Sequence, residues 1–188
     1  MKLQDFLSAI LAKTPYQVID KGDFNMIERG RWRPIWEIKK YKGIKENPYL
    51  ILPENLYDVI MFENNSLLNE GINEMWKRIA GLGGTAYSEG NAYLGVGDSS
   101  TSVSASQEGL QGSNKSFRPM DATYPQISNQ TITFRSTFGA NDANFNWREY
   151  TVVNAASDTG KNICRRAEDH GVKTNPDIWV LSLSITLS

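Results

Sequence analysis

The stretch Trp179-Val-Leu-Ser-Leu-Ser-Ile-Thr-Leu187 decides the fold. Trp179, Leu181, Leu183, Ile185 and Leu187 fall on one side of an extended chain, and Val180, Ser182, Ser184 and Thr186 on the other. Successive side chains of a strand point to opposite faces, so this spacing predicts a strand with one face in a core and one toward water. The same period runs through Ile132, Phe134, Ser136 and Phe138, interleaved with Thr133, Arg135 and Thr137. Further strands are expected at Asn91 to Val96, Trp147 to Val153 and Lys161 to Arg165, with turn-rich segments such as Gly97-Asp98-Ser99 and Ser157-Asp158-Thr159-Gly160 between them. Short strands separated by turn chemistry predict a mainly β fold, an antiparallel β-sandwich of jelly-roll or immunoglobulin-like kind. Residues 99–116 are crowded with Ser, Gly, Asn and Gln and are expected to form a long solvated loop.

Before residue 91 the period changes to that of a helix. Ser66 is expected to open one, in which Leu68, Ile72, Met75, Trp76 and Ile79 share a face, Gly71 weakens the interior and Gly81 supplies the left-handed stop. Leu3, Phe6, Leu7, Ile10 and Leu11 predict a short amphipathic helix that Thr14-Pro15 ends. Trp32 to Tyr41 and Leu56 to Phe62 read as extended, and Pro34 demotes the first to an edge strand or an arm. The expected division is an N-terminal helix and extended arm at 1–64, then a β-sandwich domain at 65–188 preceded by one helix. A ten-residue helix is marginal alone, and Arg31-Trp-Arg-Pro-Ile-Trp36 is aromatic and basic. The arm is therefore expected to pack on a neighbouring subunit through Leu3, Phe6, Leu7, Ile10, Trp32 and Trp36. The alternative is that it folds back and adds edge strands to its own sandwich.

Composition narrows the function. The 188 residues suffice for one sizeable core with an appendage. Lys and Arg number 20 against 21 Asp and Glu, interspersed in sign, which argues against nucleic acid or an anionic membrane as the partner. No apolar run approaches the ~18 residues of a spanning helix, and the amphipathic start is unlike a signal peptide, so a cytoplasmic site of synthesis is expected. Cys164 is the single cysteine, which excludes an internal disulfide and any cysteine-only metal cage. Five Trp, eight Tyr and seven Phe would fill a sandwich core or a protein interface.

Chemistry has few places to reside. Cys164 and His170 invite a cysteine-hydrolase reading, but nothing nearby resembles an oxyanion loop; a half-buried thiol and an exposed turn histidine are expected instead. Gly95-Val-Gly97 lacks the third glycine of a phosphate loop, and Asp158-Thr-Gly-Lys161 lacks its upstream glycine, so the first reads as close backbone approach and the second as a hairpin turn. Ala80-Gly-Leu-Gly-Gly84 reads as a helix cap and linker. A carboxylate pair for glycoside hydrolysis would have to come from Asp98, Glu108, Asp121, Asp142 and Glu149. Of these only Glu149, beside Trp147 and on a face with Thr151, has an apolar neighbour, and an exposed or hydrogen-bonded Glu is expected there. Asp98 and Asp142 fit no calcium-loop spacing. The sequons at Asn64, Asn114 and Asn129 carry no meaning without secretion. No catalytic residue, cofactor or metal ligand is expected.

The second half of the chain resembles a family of tailed-bacteriophage virion proteins. The resemblance is carried by Asn91-Ala-Tyr-Leu-Gly-Val-Gly-Asp-Ser-Ser100, Leu110-Gln-Gly112, Met120-Asp121, Tyr124-Pro125, Ile132 to Phe138 and Ala143-Asn-Phe-Asn-Trp-Arg-Glu-Tyr150. It continues through Lys161 to Arg166, Gly171-Val-Lys173 and Trp179 to Leu187, and a helix from Leu67 to Gly81 precedes the block. It covers roughly residues 65–188 and departs at Asn162-Ile-Cys-Arg165, where the family has a plain Asn-Arg pair. The resemblance implies a capsid decoration or cement protein, or a neck, tail or baseplate component. Its partners would be other virion proteins and further copies of itself, located in the virion after assembly in the host cytoplasm. A glycan-binding adhesin module and a virion-associated cell-wall hydrolase are the alternatives.

Overall fold

The computed structural model describes residues 30–44 and 46–188; the expected helix at 3–12, with Leu3, Phe6, Leu7 and Ile10, lies outside them. Among the described residues ten strands form two antiparallel sheets of five. The first runs, in spatial order, β2 (Leu56–Glu63), β1 (Trp32–Tyr41), β10 (Ile178–Leu187), β7 (Thr131–Phe138) and β6 (Gln126–Ser128). The second runs β3 (Ser66–Leu67), β9 (Asn162–Ala167), β8 (Glu149–Val153), β4 (Tyr93–Gly97) and β5 (Lys115–Pro119). The protein is a mainly β, sandwich-like fold, as the alternating pattern predicts. Residues Arg31–Ser188 make one compact unit.

The core joins the inner faces. Trp36, Ile38, Phe134, Leu181 and Leu183 come from the first sheet and Leu94, Val96, Tyr150, Val152 and Cys164 from the second. Trp147 and Trp179 meet edge to face at 4.8 Å between ring centroids, and Phe138 meets Trp147 at 4.7 Å. Such pairs add about 0.5–1.5 kcal/mol each beyond the area they bury. The alternation of β10 holds from Trp179 to Ile185, whereas Leu187 is exposed. Val180, on the outer face, is buried too, in a second cluster with Tyr41, Ile178 and Ile51.

Two expectations are corrected here. The sandwich begins at residue 32, not 65. β1 pairs with β10 along ten residues and with β2 on its other side, so it is an interior strand of its own sheet rather than an arm. Trp36 has no exposed surface and stacks on Phe62, and half-buried Trp32 donates its indole N–H to Asn65. Trp36 is therefore not presented to a partner, whereas Trp32 keeps part of its surface. Pro34 is tolerated because of register. Arg31 and Ser188 exchange both backbone hydrogen bonds, so alternation turns the Pro34 nitrogen away from β10. On that other side β2 has already ended, with Glu63 opposite Ile35, and no donor is needed.

The helix is the second correction. α1 covers Asn69–Ile79, while Ser66 and Leu67 form β3 against β9. Its buried positions are Gly71 and Glu74, whereas Trp76 and Ile79 are 62% and 75% exposed. Gly71 sets this orientation: a Cβ there would lie 2.4 Å from Ile163 Cα, so only glycine lets the helix backbone rest on β9. Glu74 is buried because it has partners, accepting from the Thr85 N–H at 2.5 Å and from Asn154 Nδ2 at 3.4 Å.

Candidate functional site

β8 and β9 are registered with Thr151 opposite Arg165 and Glu149 opposite Ala167. Glu149 and Arg165 are therefore diagonal neighbours on one face, the face that turns away from the core. Both side chains are fully buried, because residues 98–114 fold over them. The Arg165 Nε donates to Glu149 Oε2 at 2.7 Å, and Nη2 lies at the same distance from that oxygen as a charge contact outside hydrogen-bond geometry. Nη1 donates to the Thr101 carbonyl and to Gln107 Oε1. The Glu149 carboxylate also accepts from the backbone N–H groups of Gln111, at 2.9 Å, and Gly112, at 2.6 Å. One ion pair thus clasps both arms of the serine-rich segment, and its charge is offset by the bonds to Nε, Nη1 and the carboxylate, while Nη2 makes the charge contact alone.

The glycines of Tyr93-Leu-Gly-Val-Gly97 belong to the same arrangement. Gly97 lies opposite Glu149 and Gly95 opposite Thr151. A Cβ on Gly97 would stand 2.3 Å from Glu149 Oε1, and one on Gly95 would stand 2.8 Å from the side chains of Phe117 and Thr151. The expected close approach is seen, with a buried carboxylate as its cause. Asp98 closes the turn by accepting from the side chain and backbone N–H of Asn114; the Asn114 amide chiefly holds its carboxyl below the usual range. Asp158 accepts from the Leu110 N–H and pairs with Lys115 at 2.8 Å, pinning the far end of the segment. Residues 98–114 are ordered by five side chains rather than solvated freely, and β5, which follows them, was not expected.

The remaining candidates are structural by their contacts. The Cys164 thiol is fully buried, not half-buried, and burial pushes it up to about 12. His170 is no exposed turn residue: its ring packs on Phe62 at 4.2 Å, and burial lowers its pKa. No hydrogen bond joins the two among the described residues. Asp142 accepts from the Gly139 N–H and the Tyr49 hydroxyl, and Asp121 from Thr137. Lys173 is buried, donates to the Gly139 carbonyl at 2.7 Å and to Asn144 Oδ1 at 3.0 Å, and is lowered to about 8 by burial. Among the described residues no three His, Cys, Asp or Glu side chains gather to hold a metal ion, and no helix is long and apolar enough to cross a membrane.

The clasp was within reach of sequence reading only in part. Glu149 stands out by its apolar neighbour Trp147, but nothing in a linear pattern pairs a strand carboxylate with a guanidinium such as Arg165 one strand away. Compared with protein-family models, with curated proteins and with solved structures, the chain matches none of them.

Proposed function

We propose that this chain is a structural subunit of a tailed-phage virion, binding neighbouring subunits as a capsid decoration or cement protein or as a neck, tail or baseplate component. The observation that carries this reading is the use made of buried charge. Glu149 and Arg165, the ion pair with both side chains fully buried among the described residues, hold a surface segment in one shape and are closed off from solvent. A docking subunit needs such a pre-shaped surface, since ordering it in advance removes an entropic cost of association. A hydrolytic carboxylate needs the opposite, access to substrate. Gly97, Gln111, Gly112 and Glu149 belong both to the segments that carry the resemblance and to the clasp. Exposed Trp76, Ile79 and Leu82 offer apolar surface to a neighbour.

Mass spectrometry of purified particles tests this. Peptides of the chain should be present at a copy number fixed by particle symmetry, and the isolated protein should give no clearing on cell-wall zymograms. Absence from particles, or clearing that disappears in Glu149→Gln, would sink the proposal. A second reading has one observation in its favour. A polar groove of about 400 Å³ lies between α1 and residues 105–108, lined by Asn69, Asn73, Lys77 and Gln107, with exposed Trp76 on the same helix. Such a groove suits a host glycan, and saturable binding of host-surface oligosaccharide lost in Asn73→Ala would favour it.

A further inference from the structure

A helix packed on a sheet ordinarily turns its apolar side inward, and α1 (Asn69–Ile79) does the reverse. Both of its carboxylates face inward. Glu70 accepts from the backbone N–H and the side-chain amide of Asn162, and Glu74 from the Thr85 N–H. Trp76 and Ile79 are left outside, and Leu82, in the turn that follows, is 77% exposed. Every residue from Trp76 to Thr85 is exposed, and a Cβ on Gly81 or Gly83 would meet no atom within 4 Å. The end of α1 and its turn therefore form a projecting apolar tip.

The tip is also basic. No Asp or Glu occurs from Met75 to Ser88, whereas Lys77 and Arg78 lie between the apolar residues. Arg78 donates to the Gly84 carbonyl, and among the described residues neither cation forms an ion pair. The near-neutral total of 20 basic and 21 acidic residues conceals this local excess, because the two acids of α1 are turned inward.

An exposed apolar surface of this kind marks a contact. A neighbouring subunit and a lipid bilayer are the two occupants open to it, and three features favour lipid. A projecting tip enters a fluid interface without a matching cleft. A Trp ring suits the boundary between headgroups and acyl chains, with its N–H toward water. Lys77 and Arg78 can lay their stems on apolar surface while their charges reach anionic headgroups. We propose that the tip formed by Trp76, Ile79 and Leu82 inserts into the interface of an anionic lipid bilayer, with Lys77 and Arg78 against the lipid phosphates. The mode is peripheral: α1 has 11 residues, and among the described residues no helix is long and apolar enough to cross. The inference goes beyond the virion reading and does not rest on it.

Vesicles of equal parts phosphatidylglycerol and phosphatidylcholine should carry the full chain upward in a flotation gradient, and vesicles of phosphatidylcholine alone should carry far less. Trp76 is the exposed one of the five tryptophans, so its emission should shift to the blue on binding and be quenched by brominated acyl chains. Trp76→Phe should still bind while losing both signals. Ile79→Ser combined with Leu82→Ser should weaken binding by about tenfold or more, since both side chains lose their transfer out of water. Lys77→Gln should weaken it about fivefold, a difference that ~1 M salt should erase. Ile127→Ser, at an equally exposed apolar residue of β6, should change nothing. A wild type that stays below the vesicles overturns the proposal, as does binding indifferent to the double serine variant, or equal binding to both kinds of vesicle. Self-association in light scattering that Leu82→Ser removes, without vesicle binding, would assign the tip to a second copy instead. If the double variant does not fold, Lys77→Gln and the emission of Trp76 still decide.

Discussion

Replacing Glu149 by Gln removes one charge and leaves nearly every atom of the carboxylate in place. The Gln111 and Gly112 N–H groups keep an acceptor, but Arg165 loses its only counter-ion among the described residues while remaining fully buried. Removing one partner of a buried ion pair costs about 3–5 kcal/mol, because the survivor's charge is left uncompensated in a poorly polarisable site. For a chain of this length each kcal/mol lowers the melting temperature by about 2–4 °C, so the shift should be about 6–20 °C. The variant should be read by thermal and urea unfolding, together with hydrogen exchange at the amides of Gln111 and Gly112, which should lose protection ahead of the core strands. A double variant, Glu149→Met with Arg165→Met, should recover part of the loss, since it removes the orphaned charge. A loss below about 1 kcal/mol in Glu149→Gln, the scale of an exposed ion pair, would refute the reasoning that these charges are desolvated and interdependent.

Trp179→Ala removes the ring that meets Trp147 at 4.8 Å in the closed core and should cost about 3–5 kcal/mol; unchanged melting would place β10 wrongly. Gly71→Ala favours the helix by about 1 kcal/mol in intrinsic propensity, yet its Cβ would press on Ile163 Cα and on the Asn162 carbonyl oxygen, 2.5 Å away. The variant should be destabilised by about 1–3 kcal/mol, and a gain in stability would show that α1 stands off β9. Lys173 has a folded pKa of about 8 against an ordinary 10.5, so between those values the unfolded chain binds more protons. Stability should therefore rise with pH across that window and flatten in Lys173→Met, as measured by urea midpoints; an equal rise in both would remove Lys173 as the cause.

β7 and the second half of β10 are legible because their burial alternates. Trp179 to Ile185 and Phe134 to Phe138 follow from spacing of two, and Trp32 to Tyr41 reads as extended without a sustained period, but its role is mistaken, since Pro34 masks an interior strand whose neighbour happens to stop at that point. Elsewhere the determining contacts are remote in sequence. The apolar stripe Ile72, Met75, Trp76 and Ile79 is a valid helical face, but the helix is seated by its glycine and by a carboxylate with distant partners, so the stripe is left partly outside. Residues 98–114 read as solvated because their composition is polar. Their order comes from Glu149, Arg165 and Asp158, which lie 37 or more residues downstream of the atoms they hold.

The clasp engages its loop chiefly through main-chain atoms: the carbonyl of Thr101 and the amides of Leu110, Gln111 and Gly112, with Gln107 the one side chain it takes hold of. Ser100, Ser102, Ser104 and Ser106 are exposed and contribute nothing to that grip. The shape of the segment is thereby separated from its lettering. Those positions can be rewritten without refolding the support beneath them. For the same reason the stretch between Thr101 and Gln107 is a natural place to graft a foreign epitope or an affinity peptide.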